Sequence, residues 1–143
     1  MIELSEAVQA DVNNSLMGGH PMVVCAVTPE GLPTLSWRGS MQTRGADALA
    51  IWVRKPDTST LLQSIAGQPV VVAAYSDMAE RHFYQFTGRA RVETDEAARK
   101  EIFENSPELE RQQDPELTGA AVVIELDRAG GRSADGPFQM ERD

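Results

Sequence analysis

The chain has 143 residues, with 13 Lys and Arg against 22 Asp and Glu, a net charge of −9 at pH 7. That balance argues against a non-specific nucleic-acid binder, which needs a basic face, and against docking on an anionic membrane through a polybasic patch. With 41% hydrophobic and 24% charged residues the composition is that of one ordinary globular domain, and Cys25, the single cysteine, excludes an intramolecular disulfide framework or a multi-cysteine metal site.

Residues 4–16 predict an amphipathic helix, because Leu4, Ala7, Val8, Val12 and Leu16 share one face. Gly18, Gly19 and Pro21 stop it. The first 17 residues contain neither a basic region nor an unbroken apolar core, and Val70–Tyr75, the longest apolar run, is far too short to span a bilayer. A cytoplasmic protein is therefore expected.

Six strands are predicted next. Met22–Thr28 is an apolar run suited to a buried strand, within which Cys25 reads as a small buried hydrophobe. Pro29–Pro33 forms a turn. Thr34–Met41 alternates, with Leu35, Trp37, Gly39 and Met41 on one face and Thr34, Ser36, Arg38 and Ser40 on the other. A connection through Gly45 leads to Ala48–Val53. The basic turn Arg54-Lys55-Pro56-Asp57 breaks the sheet, and Asp57, Thr58 or Ser59 caps a short helix carrying Leu61, Leu62 and Ile65. Gly67 and Pro69 end that helix. Val70–Tyr75 and the long Arg81–Val92 are strands four and five, Thr94 caps a second long helix, and Ala120–Leu126 is the sixth strand. From Gly130 onward the glycines and Pro137 suggest an irregular tail, which gives a domain over residues 1–129 and a tail over 130–143.

Charge is distributed unevenly. Residues 93–116 carry nine acids against three bases, the pattern of a solvated helical face. Residues 36–55 carry Arg38, Arg44, Arg54 and Lys55 against Asp47 alone. A basic island in an acidic chain points to an anionic small molecule. Arg38 lies in mid-strand beside Gly39, whose missing side chain would admit a flat ligand or another backbone. Arg54 and Lys55 precede Thr58-Ser59-Thr60 at a helix start, where amide N–H groups, hydroxyls and cations together make a phosphate cradle. A solvated surface charge with an ordinary helix cap accounts for the same spacing. Trp37 and Trp52 read as core or interface anchors that could also flank an aromatic ring system. His20 and His82 read as a loop and a strand histidine, and two such distant histidines do not make a metal site. Walker-type loops, G-x-G-x-x-G, G-x-S-x-G and H-E-x-x-H are not found.

The order of these elements resembles the pyridoxamine 5'-phosphate oxidase-like, FMN-binding split barrel over residues 3–128. Three stretches carry the resemblance: Val23–Pro33 as its first hairpin, Ala50–Val53 leading through the basic turn to Leu61-Leu62 and Gln68-Pro69-Val70, and Thr87-Gly88-Arg89-Ala90-Arg91-Val92 as its glycine-marked strand. The resemblance implies a mostly β (α+β) fold, a six-stranded antiparallel split barrel with flanking helices. It implies a homodimer with FMN at the interface, a small-molecule substrate and oxidoreductase chemistry carried by the flavin, which needs no acid–base pair from the protein. It places Arg38 on the family's phosphate-binding arginine, and Val53 and Arg54 on residues that touch the flavin. Thr58-Ser59-Thr60 stand where the family has Ser-Arg-Lys, so hydroxyls replace two cations that Arg54 and Lys55 would supply from nearby. The candidate cofactor-binding set is thus Arg38, Gly39, Ser40, Trp52, Val53, Arg54, Lys55, Thr58, Ser59 and Thr60. The family's C-terminal substrate signature is not found, so vitamin B6 oxidation is not expected. The alternative reading is a non-enzymatic barrel that binds or senses flavin, haem or deazaflavin.

Overall fold

Alternating apolar and polar side chains become the two faces of one curled antiparallel sheet in the computed structural model, which describes residues 1–143. Its strands are β1 (Met22–Val27), β2 (Pro33–Arg38), β3 (Gln42–Thr43), β4 (Ala48–Val53), β5 (Val70–Asp77), β6 (His82–Val92), β7 (Ala120–Ser133) and β8 (Gly136–Glu141). Neighbours run in the order β2-β1-β5-β6-β7-β4-β3, with β8 paired to β7. Four helices flank the sheet: α1 (Glu6–Asn13), α2 (Thr60–Gly67), α3 (Glu96–Glu104) and α4 (Glu108–Arg111). No helix is long and apolar enough to cross a membrane.

Eight strands replace the expected six, for two physical reasons. The run Thr34–Met41 does not continue as one strand. The Ser40 hydroxyl accepts from the Trp52 amide at 2.8 Å and donates to the Trp52 carbonyl at 3.2 Å, and Met41 N–H turns back to the Arg38 carbonyl at 3.3 Å. The chain then re-enters the sheet as β3, paired with β4. The expected irregular tail is instead a hairpin, in register from Arg128 opposite Glu141 to Ser133 opposite Gly136. Its glycines serve close approach rather than chain breaking. At Gly131, with φ of 144°, any Cβ would run into the Phe83 carbonyl across the β6–β7 ladder.

Helix boundaries follow their caps. Ser5 accepts from Val8 N–H at 3.3 Å, so α1 starts at Glu6 and buries Val8 and Val12, and it ends at Asn13, short of the expected residue 16. Of the three candidate caps for α2, Ser59 serves, accepting from Leu62 N–H at 3.1 Å. Asp95 rather than Thr94 caps α3. The single-turn α4, in the acidic stretch, has no apolar periodicity to announce it.

The main core fills the curl of the sheet, with Met22, Val24, Leu49, Ile51, Phe86, Ile124 and Leu126 buried together. All six residues of β4 are buried because the strand has a core on each face. Leu49, Ile51 and Val53 face the main core, while Ala48, Ala50 and Trp52 pack with Ile102, Phe103, Ala121 and Val123 under α3. Trp52 stands edge-on to Phe103 at 5.0 Å, with the Arg99 guanidinium 5.0 Å above its ring.

Candidate functional site

The inward face of β2 presents Thr34, Ser36 and Arg38, and the end of β4 delivers Val53, Arg54 and Lys55 opposite them. A single 3-10 turn, Pro56–Thr58, then starts α2 at the same place. These elements enclose a cavity of about 450 Å³. Seven of the ten expected site residues line it: Arg38, Val53, Arg54, Lys55, Thr58, Ser59 and Thr60. The remaining wall is Val24, Ala26, Thr34, Leu35, Ser36 and Leu61. Those six were not singled out in the sequence, because strand alternation gives them the same signature as any core or sheet-face residue.

Arg38 is the central cation. Its Nε donates to Ser36 Oγ at 3.0 Å, and its two Nη groups find no protein acceptor. Burial pushes its pKa below the usual arginine value, the Glu110 carboxylate works against that shift, and the nearby Arg54 adds to it. Arg54 reaches Gln113 Oε1 only weakly, at 3.4 Å, and Lys55 is exposed without a protein partner. At the start of α2 the Thr60 and Leu61 amides lack protein acceptors, while Ser59 Oγ is engaged as the cap. Unfilled N–H groups at a helix start attract anions through both hydrogen bonding and the helix dipole.

Gly39, Ser40 and Trp52 of the expected set lie outside the wall of this cavity. The room beside Gly39 is taken by the Glu110 carboxylate and Leu16 rather than by a ligand. Ser40 is buried and spends its hydroxyl on β4. Trp52, 3% exposed, points to the opposite face of β4 from Val53, and its indole N–H donates to Asp114 Oδ2 at 2.8 Å. Trp37 is 69% exposed on the outer face of β2. Cys25, expected to be buried, is half-buried on the outer face of β1, opposite Leu35 and Val72.

Neither histidine lines this cavity. His82 Nδ1 lies 3.1 Å from Asp11 Oδ2, which also accepts the Tyr84 hydroxyl at 2.5 Å. His20 Nε2 lies 3.3 Å from Asp77 Oδ2. Tyr75 and Tyr84 stack at 5.0 Å between these two pairs. Burial, then the Asp11 and Asp77 charges, push the Tyr75 phenol up to about 12. Burial and the Asp11 hydrogen bond raise Tyr84 further. This cluster fastens α1 and the following loop to the β5–β6 end of the sheet.

The cavity wall holds no carboxylate, imidazole, thiol or phenol. Its chemistry is cations and hydroxyls at one side and aliphatic surface at the other, which suits an amphipathic anion and not acid–base catalysis by side chains.

No protein-family model matches the sequence, and no curated protein matches it. Solved structures do match. A pyridoxamine 5'-phosphate oxidase-related, FMN-binding protein from Nostoc punctiforme superposes with a TM-score of 0.75 at 13% identity, covering 100% of this chain and 94% of that one. HupZ of Group A Streptococcus gives 0.67 at 16% identity, covering 90% and 97%. A Clostridium acetobutylicum protein of the pyridoxinephosphate oxidase family, related to general stress protein 26 of B. subtilis, gives 0.65 at 10% identity, covering 93% and 95%. At these identities the likeness lies in the fold.

Proposed function

We propose that this chain, a pyridoxamine 5'-phosphate oxidase-like split barrel by fold, binds FMN in the β2–β4–α2 cavity and works as a flavin-dependent oxidoreductase on a small molecule. The observation that carries the reading is Arg38, a partly buried guanidinium that lines the cavity beside unfilled amides of α2 and whose two Nη groups have no protein partner. A partly desolvated cation without an ion-pair partner is a ready receptor for an anion that supplies the charge. A phosphate monoester fits this donor set. Arg38, Arg54, Lys55 and the Thr60 and Leu61 amides would hold it, with the Thr58 and Thr60 hydroxyls beside them. The aliphatic wall of Val24, Ala26, Leu35 and Val53 would face the rest of the cofactor. When bound, FMN supplies the hydride or electron transfer, while the protein orients it and neutralises its phosphate.

A homodimer completes the reading. The outer face of β2, β1 and β5 exposes Leu35 at 48%, Trp37 at 69% and Val70 at 45%. Strand pairing sets Trp37 beside Val23 and then Ala74, and Leu35 beside Cys25 and then Val72. A contiguous exposed apolar face supports an interaction surface. The face and the cavity share β2, which ends the strand order, and Leu35 of that strand belongs to both.

The test is phosphate discrimination: the protein is titrated with FMN and with riboflavin. FMN binding at least ten-fold tighter than riboflavin is the expected result, and equal affinities would remove the phosphate cradle. A non-enzymatic binding or sensing barrel for flavin, deazaflavin or haem is favoured by one observation, the hydroxyl-bearing turn Thr58-Ser59-Thr60, which carries no cation of its own at the cavity. Reduction of the bound flavin by NAD(P)H separates the two. Reduction supports the oxidoreductase, and a flavin that stays oxidised supports the holding protein.

A further inference from the structure

Arg38 is the cation that faces the cavity, and the residue after it is glycine. The space left by that missing side chain is filled by a carboxylate. A Cβ at position 39 would run into Glu110 Oε1, and would lie 3.1 Å from Glu110 Cδ and 3.2 Å from Leu16 Cδ2. Glu110 belongs to α4, the segment whose next residues reach a second cation of the cavity: Gln113 accepts from Arg54 Nη1 at 3.4 Å. Asp114, one residue on, anchors the segment to Trp52 at 2.8 Å. The segment thus sets Glu110 beside the residue that follows Arg38 and Gln113 beside Arg54, from outside the cavity wall.

The carboxylate does not close an ion pair. Arg38 keeps its Nη groups free, with Ser36 as its only side-chain partner. Glu110 still acts on Arg38 at a distance, its charge favouring the protonated guanidinium against burial and against Arg54. A charge placed so would also act on any anion bound to Arg38, with the opposite sign.

We propose that Glu110, seated on Gly39, is a built-in counter-charge that weakens the hold of the cavity on a phosphate group and so sets its affinity. The proposal rests on the cavity being a phosphate-monoester site but not on the ligand being a flavin. Charges a few ångströms apart near a protein surface interact strongly enough that removing one changes affinity by several-fold, and the effect falls with salt.

The experiment compares wild type with Glu110→Gln and, separately, Gly39→Ala, whose added methyl has the flexible ends of Glu110 and Leu16 as its nearest neighbours and displaces the carboxylate. The probes are FMN, riboflavin as the phosphate-free control, and inorganic phosphate. Glu110→Gln is expected to tighten FMN and inorganic phosphate by at least about three-fold at low ionic strength. Riboflavin affinity should stay unchanged, and the gain should shrink in 0.5 M salt, a few ångströms of screening length (~4 Å). Gly39→Ala should shift the anions in the same direction. No gain in anion affinity in either variant, or an equal gain for riboflavin, overturns the proposal. If wild type retains no FMN but Glu110→Gln still tightens inorganic phosphate, the flavin reading falls and the counter-charge stands.

Discussion

Replacing Arg38 by Met should move two quantities in opposite directions. In the ligand-free protein Arg38 is partly desolvated, makes one side-chain hydrogen bond to Ser36 and has no carboxylate in ion-pair contact. A methionine of similar length keeps the packing and removes the desolvation cost, so thermal stability should hold or rise by up to ~1 kcal/mol. Binding should suffer instead. Two Nη groups free to make charge-assisted bonds are worth about 1.5–3 kcal/mol each before non-additivity. A net loss of about 2–4 kcal/mol corresponds to roughly 30- to 700-fold weaker FMN binding. Flavin fluorescence titration measures the affinity, and a thermal melt without ligand measures the stability. An unchanged FMN affinity would refute the placement of the phosphate. A drop in ligand-free stability of more than ~2 kcal/mol would refute the claim that Arg38 is kept for a ligand rather than for the fold.

Three further outcomes follow from the same geometry. Burial pushes the Asp114 carboxyl up, but donors at Thr118 N–H, Trp52 Nε1, Gly119 N–H and Thr118 Oγ1 outweigh it and hold the carboxyl below its usual range. Its contribution is therefore present above the ordinary carboxylate value near pH ~4 and is lost as pH falls through the depressed value. Asp114→Ala, which strands the Trp52 and Gly119 donors, should cost about 2–4 kcal/mol in a urea titration at pH 7, and a loss under ~0.5 kcal/mol would contradict this. Trp37→Glu, on the exposed face of β2, should shift sedimentation from dimer to monomer without changing the melting of the monomer, and an unshifted sedimentation profile would remove that face from the interface. Gly131→Ala should cost more than ~2 kcal/mol, because the added carbon meets the Phe83 carbonyl at a φ of 144°. A neutral result by thermal melt would contradict the register of β6 against β7.

Much of the sheet was legible because its strands are long and differ sharply in pattern. Ala48–Val53 read as a strand from its apolar run and is buried on both faces, while Ser59, one of three candidate caps, Gly67 at the end of α2 and Pro69 beyond it bracket that helix. Glycine is ambiguous where it serves packing: Gly130 and Gly131 have the sequence signature of a break, yet they lie within the 14-residue β7. The site followed the same division. Arg38, Arg54, Lys55 and Thr58–Thr60 stood out as a basic island before a helix start, a pattern that surface charges and a cap also give, and the fold brings them to one cavity. Ser40 and Trp52 were not separable from them by position along the chain. A tight turn takes Ser40 into β4, and strand alternation sends Trp52 to the face opposite Val53. Glu110 was invisible as a neighbour of Arg38 because 72 positions separate them and only the packing of α4 on Gly39 joins them.

The visible absorption spectrum of the purified protein tests the central claim most directly, taken before and after saturation with FMN and removal of free flavin by gel filtration. Oxidised-flavin bands that pass through the column with the protein, at about one flavin per chain, are the predicted result. A colourless protein that retains no FMN after loading would contradict the account.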